Sequence, residues 1–409
     1  RDLRGSAGAK RILVNSGGYR VGESMFAEPV PGKNLYTTID LDVQIAAEKA
    51  LASVNGDERG AVVVMDVRNG DILAMASAPT YPPQEWIDGF DLEHYNTFYS
   101  DPVRRPQINR ATMGAYNPGS TFKIVTALAA FERGLDPDAT FTVEGNPFDP
   151  GHGGYRLGNR MIGDRAAPGV YNFHRAFIHS SNSYFIDQGL KMGFDPLMEM
   201  AHRFHLGERT QLQLSPREEG IGEVPEVGEA KREGWPQGKL ANFSIGQEVT
   251  VTPIQMACMI SAVANGGTVY WPRLVDRIEN ASELDDSQAN RIRQGQVRTK
   301  LSIKRQYFDW VRAAMRDDVL SDEGTGKGAR IKGYNVCGKT GTAEIKGNGI
   351  KDKVTWFTSF APYEDPRYTI IVVIESGASG GGTCAPVARQ IYEFVRDRDS
   401  GLKGAVSGL

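Results

Sequence analysis

Apolar runs and turn residues alternate along the chain, and their spacing predicts most of its regular elements. Between Asp42 and Leu51, apolar positions recur at helical spacing after an acidic start, which predicts an amphipathic helix. The next two apolar runs, Ala61–Val67 and Ile72–Ala76, flank the dipeptide Asn69-Gly70. Because both residues of this dipeptide tolerate positive φ, the pattern predicts a β-hairpin.

The rest of the chain continues this mixture of helices and strands. Gly134 ends a predicted helix that starts at Ser120, and Thr252-Pro253 starts another that runs to Asn265. The last predicted elements are two strands and a helix: Trp356–Pro362, Tyr368–Glu375 and Pro386–Arg396. Helices and neighbouring strands in this order predict an α+β domain built on an antiparallel sheet.

The first 35 residues differ in composition from the remainder of the chain. They are rich in glycine and charge, and their apolar run Ile12-Leu13-Val14 is too short to build a core. We therefore predict that residues 1–35 are the remnant of a neighbouring domain plus a linker, and that residues 36–409 form the main domain. The chain opens without Met, and its longest apolar run, Ile370–Ile374, is far below the ~18 residues of a membrane span.

Composition and charge narrow the function classes. The chain has 409 residues, 40% of them hydrophobic, and a net charge of −3, which is typical of a globular protein. No block of Lys and Arg stands out, so nucleic acid is not an expected partner. The three cysteines, Cys258, Cys337 and Cys384, match no zinc motif and exclude a disulfide-rich scaffold. One bridge, between Cys337 and Cys384, stays open.

The first candidate for chemistry is Ser120-Thr121-Phe122-Lys123, just after Pro118-Gly119. Ser120 and Lys123 are one helical turn apart and therefore share a face. A serine hydroxyl is a weak nucleophile unless an adjacent base takes its proton. Burial beside Phe122 would lower the pKa of Lys123 toward that task. A lone pair of this kind is more often surface decoration, so the motif needs support elsewhere.

Two further motifs supply that support. Ser180-Ser181-Asn182 offers a hydroxyl and an amide that can relay a proton and hold a peptide group. Lys339-Thr340-Gly341-Thr342 follows a strand-like run, and a lysine with two hydroxyls on a strand suits a carboxylate. The N–H groups of Ser120 and Thr342 could form an oxyanion hole. Each motif alone also fits a polar turn or a chance match, but the three in this order predict an acyl-serine enzyme.

The motifs match the signature of class A β-lactamases and penicillin-binding proteins, with Ser181 in place of an aspartate. Over residues 29–396 the chain resembles class B penicillin-binding proteins of the elongation type. The resemblance includes three further runs: Pro31-Gly32-Lys33-Asn34-Leu35, Asn109-Arg110-Ala111 and Gly246-Gln247-Glu248. It implies the penicillin-binding fold, with an antiparallel sheet packed between helices plus an all-helical subdomain. It also implies that residues 1–35 end the family's N-terminal pedestal.

The resemblance assigns a role to each motif residue in peptidoglycan D,D-transpeptidation. Ser120 would attack the D-Ala-D-Ala end of a stem peptide, with Lys123 as the base. Ser180 and Asn182 would relay the proton and position the substrate. The third motif would bind the terminal carboxylate, or that of a β-lactam, through Lys339, Thr340, Gly341 and Thr342.

The resemblance also implies a cellular setting. It predicts a function in cell-wall elongation and cell shape, with stem peptides and β-lactam antibiotics as ligands. A glycan polymerase and other membrane proteins of the elongation complex would be the partners. It further predicts attachment to the cytoplasmic membrane by an N-terminal anchor outside this sequence, with the catalytic domain on the outer side.

The chain departs from many elongation-type relatives at a metal site. Those relatives carry a His before a Gly and a Cys within the second motif, where this chain has Pro168 and Ser181. Nearby polar residues are expected to have surface or satisfied polar roles: His152, Asp164, His174 and His179. We therefore predict no metal and no cofactor.

Other functions with similar motifs stay open. A class A β-lactamase needs a deacylating glutamate, and Tyr184–Glu199 lacks the expected E-x-x-x-N pattern. A class D-like enzyme or a β-lactam sensor domain is typically shorter than this chain. A catalytically silent scaffold would have to keep all three motifs intact. The motifs do not separate an elongation role from a division role.

Overall fold

The computed structural model describes residues 3–54, 59–212, 214, 216–279, 292–347 and 350–401. Its strands are β1 Ala9–Val14, β2 Arg20–Ala27, β3 Leu35–Thr37, β4 Gly60–Asp66, β5 Ile72–Ala78, β6 Phe141–Gly145, β7 Gly153–Leu157, β8 Arg160–Gly163, β9 Gly169–Tyr171, β10 Thr268–Tyr270, β11 Val275–Ile278, β12 Val297–Lys300, β13 Cys337–Gly347, β14 Ile350–Ala361 and β15 Tyr368–Glu375. Its helices are α1 Leu41–Ala52, α2 Glu85–Asp88, α3 Leu92–His94, α4 Arg110–Met113, α5 Lys123–Glu132, α6 Phe173–Ile178, α7 Asn182–Met192, α8 Phe194–Arg203, α9 Glu229–Glu233, α10 Gln237–Ser244, α11 Pro253–Asn265, α12 Arg305–Leu320 and α13 Ala385–Asp399.

A five-stranded antiparallel sheet in the order β13-β14-β15-β4-β5 forms the centre of the fold. Alternate residues of β4 enter two different cores: Val62 and Val64 pack with α1 and α13, while Val63 packs with α5 and α11. Because helices cover both faces, the inner strands are continuously apolar rather than alternating. This explains why all of β4, and β15 up to Ile374, is buried.

The predicted elements of this sheet are confirmed. β4 and β5 form the expected hairpin, and its turn places Gly70 at φ +83°, where glycine carries no steric cost. The two late strands pair side by side as β14 and β15, although β14 starts earlier than the sequence indicated. The predicted closing helix is α13, which packs back against α1.

A mainly helical region lies on one side of the sheet and holds the buried helix α5, in which nine of ten residues are buried. The predicted helix from Thr252 is α11: its N-terminus has a capping box between Thr252 and Gln255, and Gly266 ends it at φ +83°. The fold class is thus confirmed as α+β with a helical region. Beside the helices lies a four-stranded sheet, β8-β7-β6-β9, that the sequence analysis did not anticipate.

The N-terminal residues form the exposed hairpin β1–β2. After it, β3 pairs with β11 and so ties residues 35–37 to the main domain. The division into residues 1–35 and 36–409 stays a prediction. All three cysteines lie within the described ranges, and each is buried with a free thiol. In the part of the chain that the structure describes, no helix has the length and apolarity to cross a bilayer.

Candidate active site

Ser120 lies in a single 3-10 turn, Gly119–Phe122, that leads directly into α5. The preceding Gly119 has φ +53°, a left-handed conformation that a side chain would strain. Ser120 is half-buried and lines a cavity of about 90 Å³ at the edge of the central sheet. The turn therefore presents its hydroxyl at the junction of the sheet and the helical region.

Three glycines let the backbone segments of the site approach each other closely. A β-carbon on Gly119 would lie 2.9 Å from the carbonyl oxygen of Thr342, and one on Gly341 would lie 2.7 Å from that of Pro118. A β-carbon on Gly246 would overlap the carbonyl oxygen of Gly119, whose N–H donates to the Gly246 oxygen at 3.0 Å. The nucleophile turn is thus held between strand β13 and the turn at Gly246 by direct backbone packing.

Lys123 is fully buried, and its amine faces the second motif. Nζ donates to the Ser180 carbonyl oxygen at 2.6 Å and to Asn182 Oδ1 at 2.8 Å, and it lies 3.4 Å from Ser180 Oγ. Burial, followed by the positive charge of Lys339, holds the pKa of Lys123 well below its usual value. A neutral amine would use both N–H groups on these acceptors and keep its lone pair for a proton.

The second motif joins α6 to α7. Ser180 has φ +55°, a left-handed conformation that is rare for a residue with a side chain. Ser181 is the N-cap of α7 and accepts from the N–H of Tyr184, while Asn182 begins the helix. The motif is therefore a strained turn, and it needs support from its surroundings to keep this shape.

Asp164 provides that support. It is 4% exposed, and its carboxylate accepts four hydrogen bonds. Three come from the second motif and the next residue, and one comes from its own loop: Ser181 Oγ at 2.6 Å, Ser183 N at 2.7 Å, Asn182 N at 2.9 Å and Ala166 N at 3.1 Å. A satisfied polar role was expected for Asp164, but its link to the second motif was missed because it rests on a contact between distant residues.

These contacts do not fit the metal site of relatives. The Ser181 hydroxyl is used on Asp164, and Pro168 offers no ligand. His152, His174 and His179 instead pair with Asp149, Asp317 and Glu323 respectively. Within the described ranges, no three His, Cys, Asp or Glu side chains are grouped as metal ligands.

Replacing Asp164 with asparagine should slow active-site acylation by up to about a hundredfold, because the second motif would lose its placement. The NH2 group of the new amide would face backbone N–H groups, which can only donate hydrogen bonds. The charge of Asp164 also raises the pKa of Lys123. Its removal should therefore lower that pKa and move the acid limb of the rate profile to lower pH. Acylation rates measured between pH 5 and 9 would check both effects. Ser181→Ala, which removes one of the four donors, should have the smaller effect.

The third motif lies on β13, at one edge of the central sheet. Lys339 is fully buried, with Nζ 5.4 Å from the centre of the Phe177 ring. The Thr340 hydroxyl lies 2.6 Å from that of Thr325, a residue that the sequence analysis did not identify. Thr342 turns its carbonyl toward Gly119. Because the N–H and C=O of one strand residue point the same way, the Thr342 N–H also faces the nucleophile turn.

All three motifs line the 90 Å³ cavity through these residues: Ser120, Ser180, Asn182, Thr340, Gly341 and Thr342. The two lysines lie behind this surface, since neither Lys123 nor Lys339 is exposed. Further lining comes from Arg165, Ile245, Gln247 and Thr325, and a wider cavity of about 740 Å³ continues past Arg165 and Gln247. The arrangement places a hydroxyl, a buried amine and a second hydroxyl–lysine pair around one space, which suits acyl transfer from a ligand with a carboxylate.

Comparison with known proteins gives matches over most of the chain. A family model described as the penicillin binding protein transpeptidase domain matches residues 60–393. The peptidoglycan D,D-transpeptidase MrdA of Haemophilus influenzae is 31% identical, over 96% of this chain and 60% of that protein. The corresponding protein of Acinetobacter baumannii is 30% identical, over 90% of this chain and 54% of its own length. The chain thus spans little more than half of these curated relatives.

Solved structures agree with the sequence matches. The structure of Pseudomonas aeruginosa PBP2 in complex with WCK 5153 is 30% identical, with a TM-score of 0.76 over 93% of this chain and 80% of that one. This similarity extends to the central sheet and the helical region together.

Proposed function

Because the chain belongs to the penicillin-binding protein transpeptidase family, we propose that it is a peptidoglycan D,D-transpeptidase working through an acyl-serine intermediate. The observation that carries this proposal is the meeting of all three motifs at one small cavity, with Ser120 at its wall and two buried lysines behind it. The first 35 residues are proposed to belong to a neighbouring pedestal domain and its linker.

In the first step, Ser120 Oγ bonds to the carbonyl carbon of the penultimate D-alanine of a stem peptide. The hydroxyl proton passes to the neutral amine of Lys123, which the lowered pKa makes available. The N–H groups of Ser120 and Thr342 stabilise the negative charge on the carbonyl oxygen. The C–N bond then breaks, and the terminal D-alanine leaves with a proton relayed through Lys123 and Ser180.

In the second step, the amine of a neighbouring stem peptide attacks the acyl-serine. Its proton returns to Ser120 Oγ as the ester bond breaks, which restores the enzyme and leaves a cross-link. Asn182 Oδ1 holds the Lys123 amine throughout, at 2.8 Å in the structure. The wider cavity beyond Arg165 and Gln247 has room for the acceptor strand.

The third motif binds the terminal carboxylate of the stem peptide. Lys339 supplies the positive charge, Thr342 supplies a hydroxyl donor, Thr340 lines the cavity beside them, and Gly341 keeps the strand close to the nucleophile turn. A β-lactam carries a carboxylate and a reactive carbonyl at similar positions, so it acylates Ser120. The amine that is released from its carbonyl stays attached to the rest of the drug and does not leave the site. The resulting ester is long-lived, and the antibiotic inhibits the enzyme.

A role in cell-wall elongation and cell shape is proposed from the similarity to the MrdA transpeptidases. The substrate would then lie outside the cytoplasmic membrane, with the enzyme held there by an N-terminal anchor. A glycan polymerase and other membrane proteins of the elongation complex are the proposed partners.

Incubation of the protein with benzylpenicillin, followed by intact-protein mass spectrometry, tests the proposal. We expect an adduct of one drug mass that persists for many minutes. Rapid loss of the adduct with release of hydrolysed drug would instead identify a β-lactamase. A complete lack of adduct would contradict the acyl-serine mechanism and favour a silent scaffold. A transpeptidation assay with a D-Ala-D-Ala stem peptide and an amine acceptor would then separate cross-linking from simple hydrolysis.

A further inference from the structure

Two buried, ionisable groups lie behind the third motif with polar atoms that have no hydrogen-bond partner in the described part of the chain. One is Nζ of Lys339, and the other is Oδ2 of Asp318. Both residues are fully buried. Asp318 is near the end of α12, a helix that packs directly against strand β13. An isolated buried charge is costly, so a buried carboxylate is expected to be opposed by a buried cation.

A short chain of hydrogen bonds connects Asp318 to the cavity. Its Oδ1 accepts from the N–H of Thr325 at 2.9 Å and from the Thr325 hydroxyl at 2.7 Å. The Thr325 oxygen lies 2.6 Å from the Thr340 hydroxyl. Because the Thr325 proton is given to Asp318, Thr325 accepts from Thr340, and the lone pairs of the Thr340 oxygen point toward other donors. The carboxylate thereby fixes the direction of a hydroxyl in the third motif.

We propose that Asp318 is a positioning residue for acyl transfer, which keeps Lys339 as an ammonium ion for the substrate carboxylate and, through Thr325, holds the Thr340 oxygen as a hydrogen-bond acceptor. This inference rests on the proposed function. Asp318 does not line the cavity, so it acts only through Lys339, Thr325 and Thr340.

The groups around Lys339 and Asp318 determine the direction in which the pKa of each residue moves. Burial lowers the pKa of Lys339, and Arg165 lowers it further, while Asp318 raises it. Burial raises the pKa of Asp318. The charge of Lys339, the hydrogen bonds from Thr325 and the charge of His179 act in the opposite direction and lower it. The charge of Lys339 in turn lowers the pKa of Lys123. Asp318 is therefore the group that opposes the loss of the Lys339 proton, which burial and the charge of Arg165 both favour.

Asp318→Asn is the sharpest test, because the amide keeps an oxygen for Thr325 and removes only the charge. Without the negative charge of Asp318, Lys339 should lose its proton at lower pH. The alkaline limb of the benzylpenicillin acylation profile should then move to lower pH. A displacement of one pH unit corresponds to about a tenfold slower reaction on the alkaline side. The acid limb, set by Lys123, should stay in place.

Asp317→Asn is the matched control. Asp317 precedes Asp318 on the same helix, but its carboxylate pairs with His174 and Arg316. This variant should leave both limbs unchanged. A loss of rate in Asp318→Asn that is equal at every pH, or an equal shift in the control, would overturn the proposal.

A stability measurement keeps the test independent of enzyme activity. Melting temperatures of Asp318→Asn, Lys339→Met and the double variant form a double-mutant cycle. If the two charges stabilise each other, each single variant leaves the other charge unopposed. The melting temperature of the double variant should then fall by less than the sum of the falls in the two single variants. Strictly additive losses would contradict the pairing. If the unmutated protein forms no adduct, the proposed function fails, while this cycle still decides whether the pair exists.

Discussion

Replacing Ser120 with alanine should abolish the covalent benzylpenicillin adduct while leaving the fold intact. Ser120 is only half-buried and its side chain lies at the cavity wall, so removing one oxygen should disturb the packing little. Because the acyl group bonds to this oxygen, mass spectrometry should detect no covalent adduct in the variant. Intact-protein mass after incubation with the drug, together with the melting temperature, provides the measurement.

The control for this experiment is Ser100→Ala, a change at an exposed serine far along the surface loop before α4. It should form the adduct like the unmutated protein. An adduct that survives in Ser120→Ala would show that another nucleophile is acylated, and the assignment of the first motif would then be wrong.

Replacing Lys123 with methionine should slow acylation by about a hundredfold to ten-thousandfold, the usual contribution of a general base. Methionine has a similar length and suits the apolar side of this site, where Nζ lies 5.5 Å from the centre of the Phe185 ring. The loss should therefore come from the missing amine. Stopped-flow measurement of the acylation rate would check it.

Lys123→Arg separates a base from a simple positive charge. Arginine keeps a cation but does not release its proton at accessible pH, so it should be as slow as methionine. Substantial activity in the arginine variant would indicate that charge alone is needed. In the unmutated protein, the acylation rate should fall as the pH drops through the lowered pKa of Lys123, since the amine then becomes protonated.

The sequence was most informative where chemistry depends on local spacing. The helix that ends before Gly134, the hairpin around Gly70 and the capped helix α11 follow from neighbouring residues, and the structure has all three, although the first begins at Ser120 as a 3-10 turn. The three motifs were separately weak but together predicted one site, and the structure brings them to one cavity. The role of each motif residue stays a prediction until the variants are measured.

The features that the sequence did not reveal depend on contacts between distant segments. Asp164 and Thr325 belong to no motif, and their importance comes from folded partners: Ser181 for one and Thr340 for the other. The four-stranded sheet was missed because its strands are three to five residues long, partly exposed and rich in glycine. Such strands carry little periodic signal, and only their pairing defines them.

Under the proposed transpeptidase function, the close packing of Gly119, Gly246 and Gly341 limits how β-lactam resistance can arise. Any side chain at these positions would strike a neighbouring backbone oxygen, which cannot move without displacing the nucleophile turn. Mutations there should abolish cross-linking along with drug binding and be lost under selection. Variants that slow β-lactam acylation yet still cross-link peptidoglycan are therefore expected at cavity side chains such as Ile245 and Gln247.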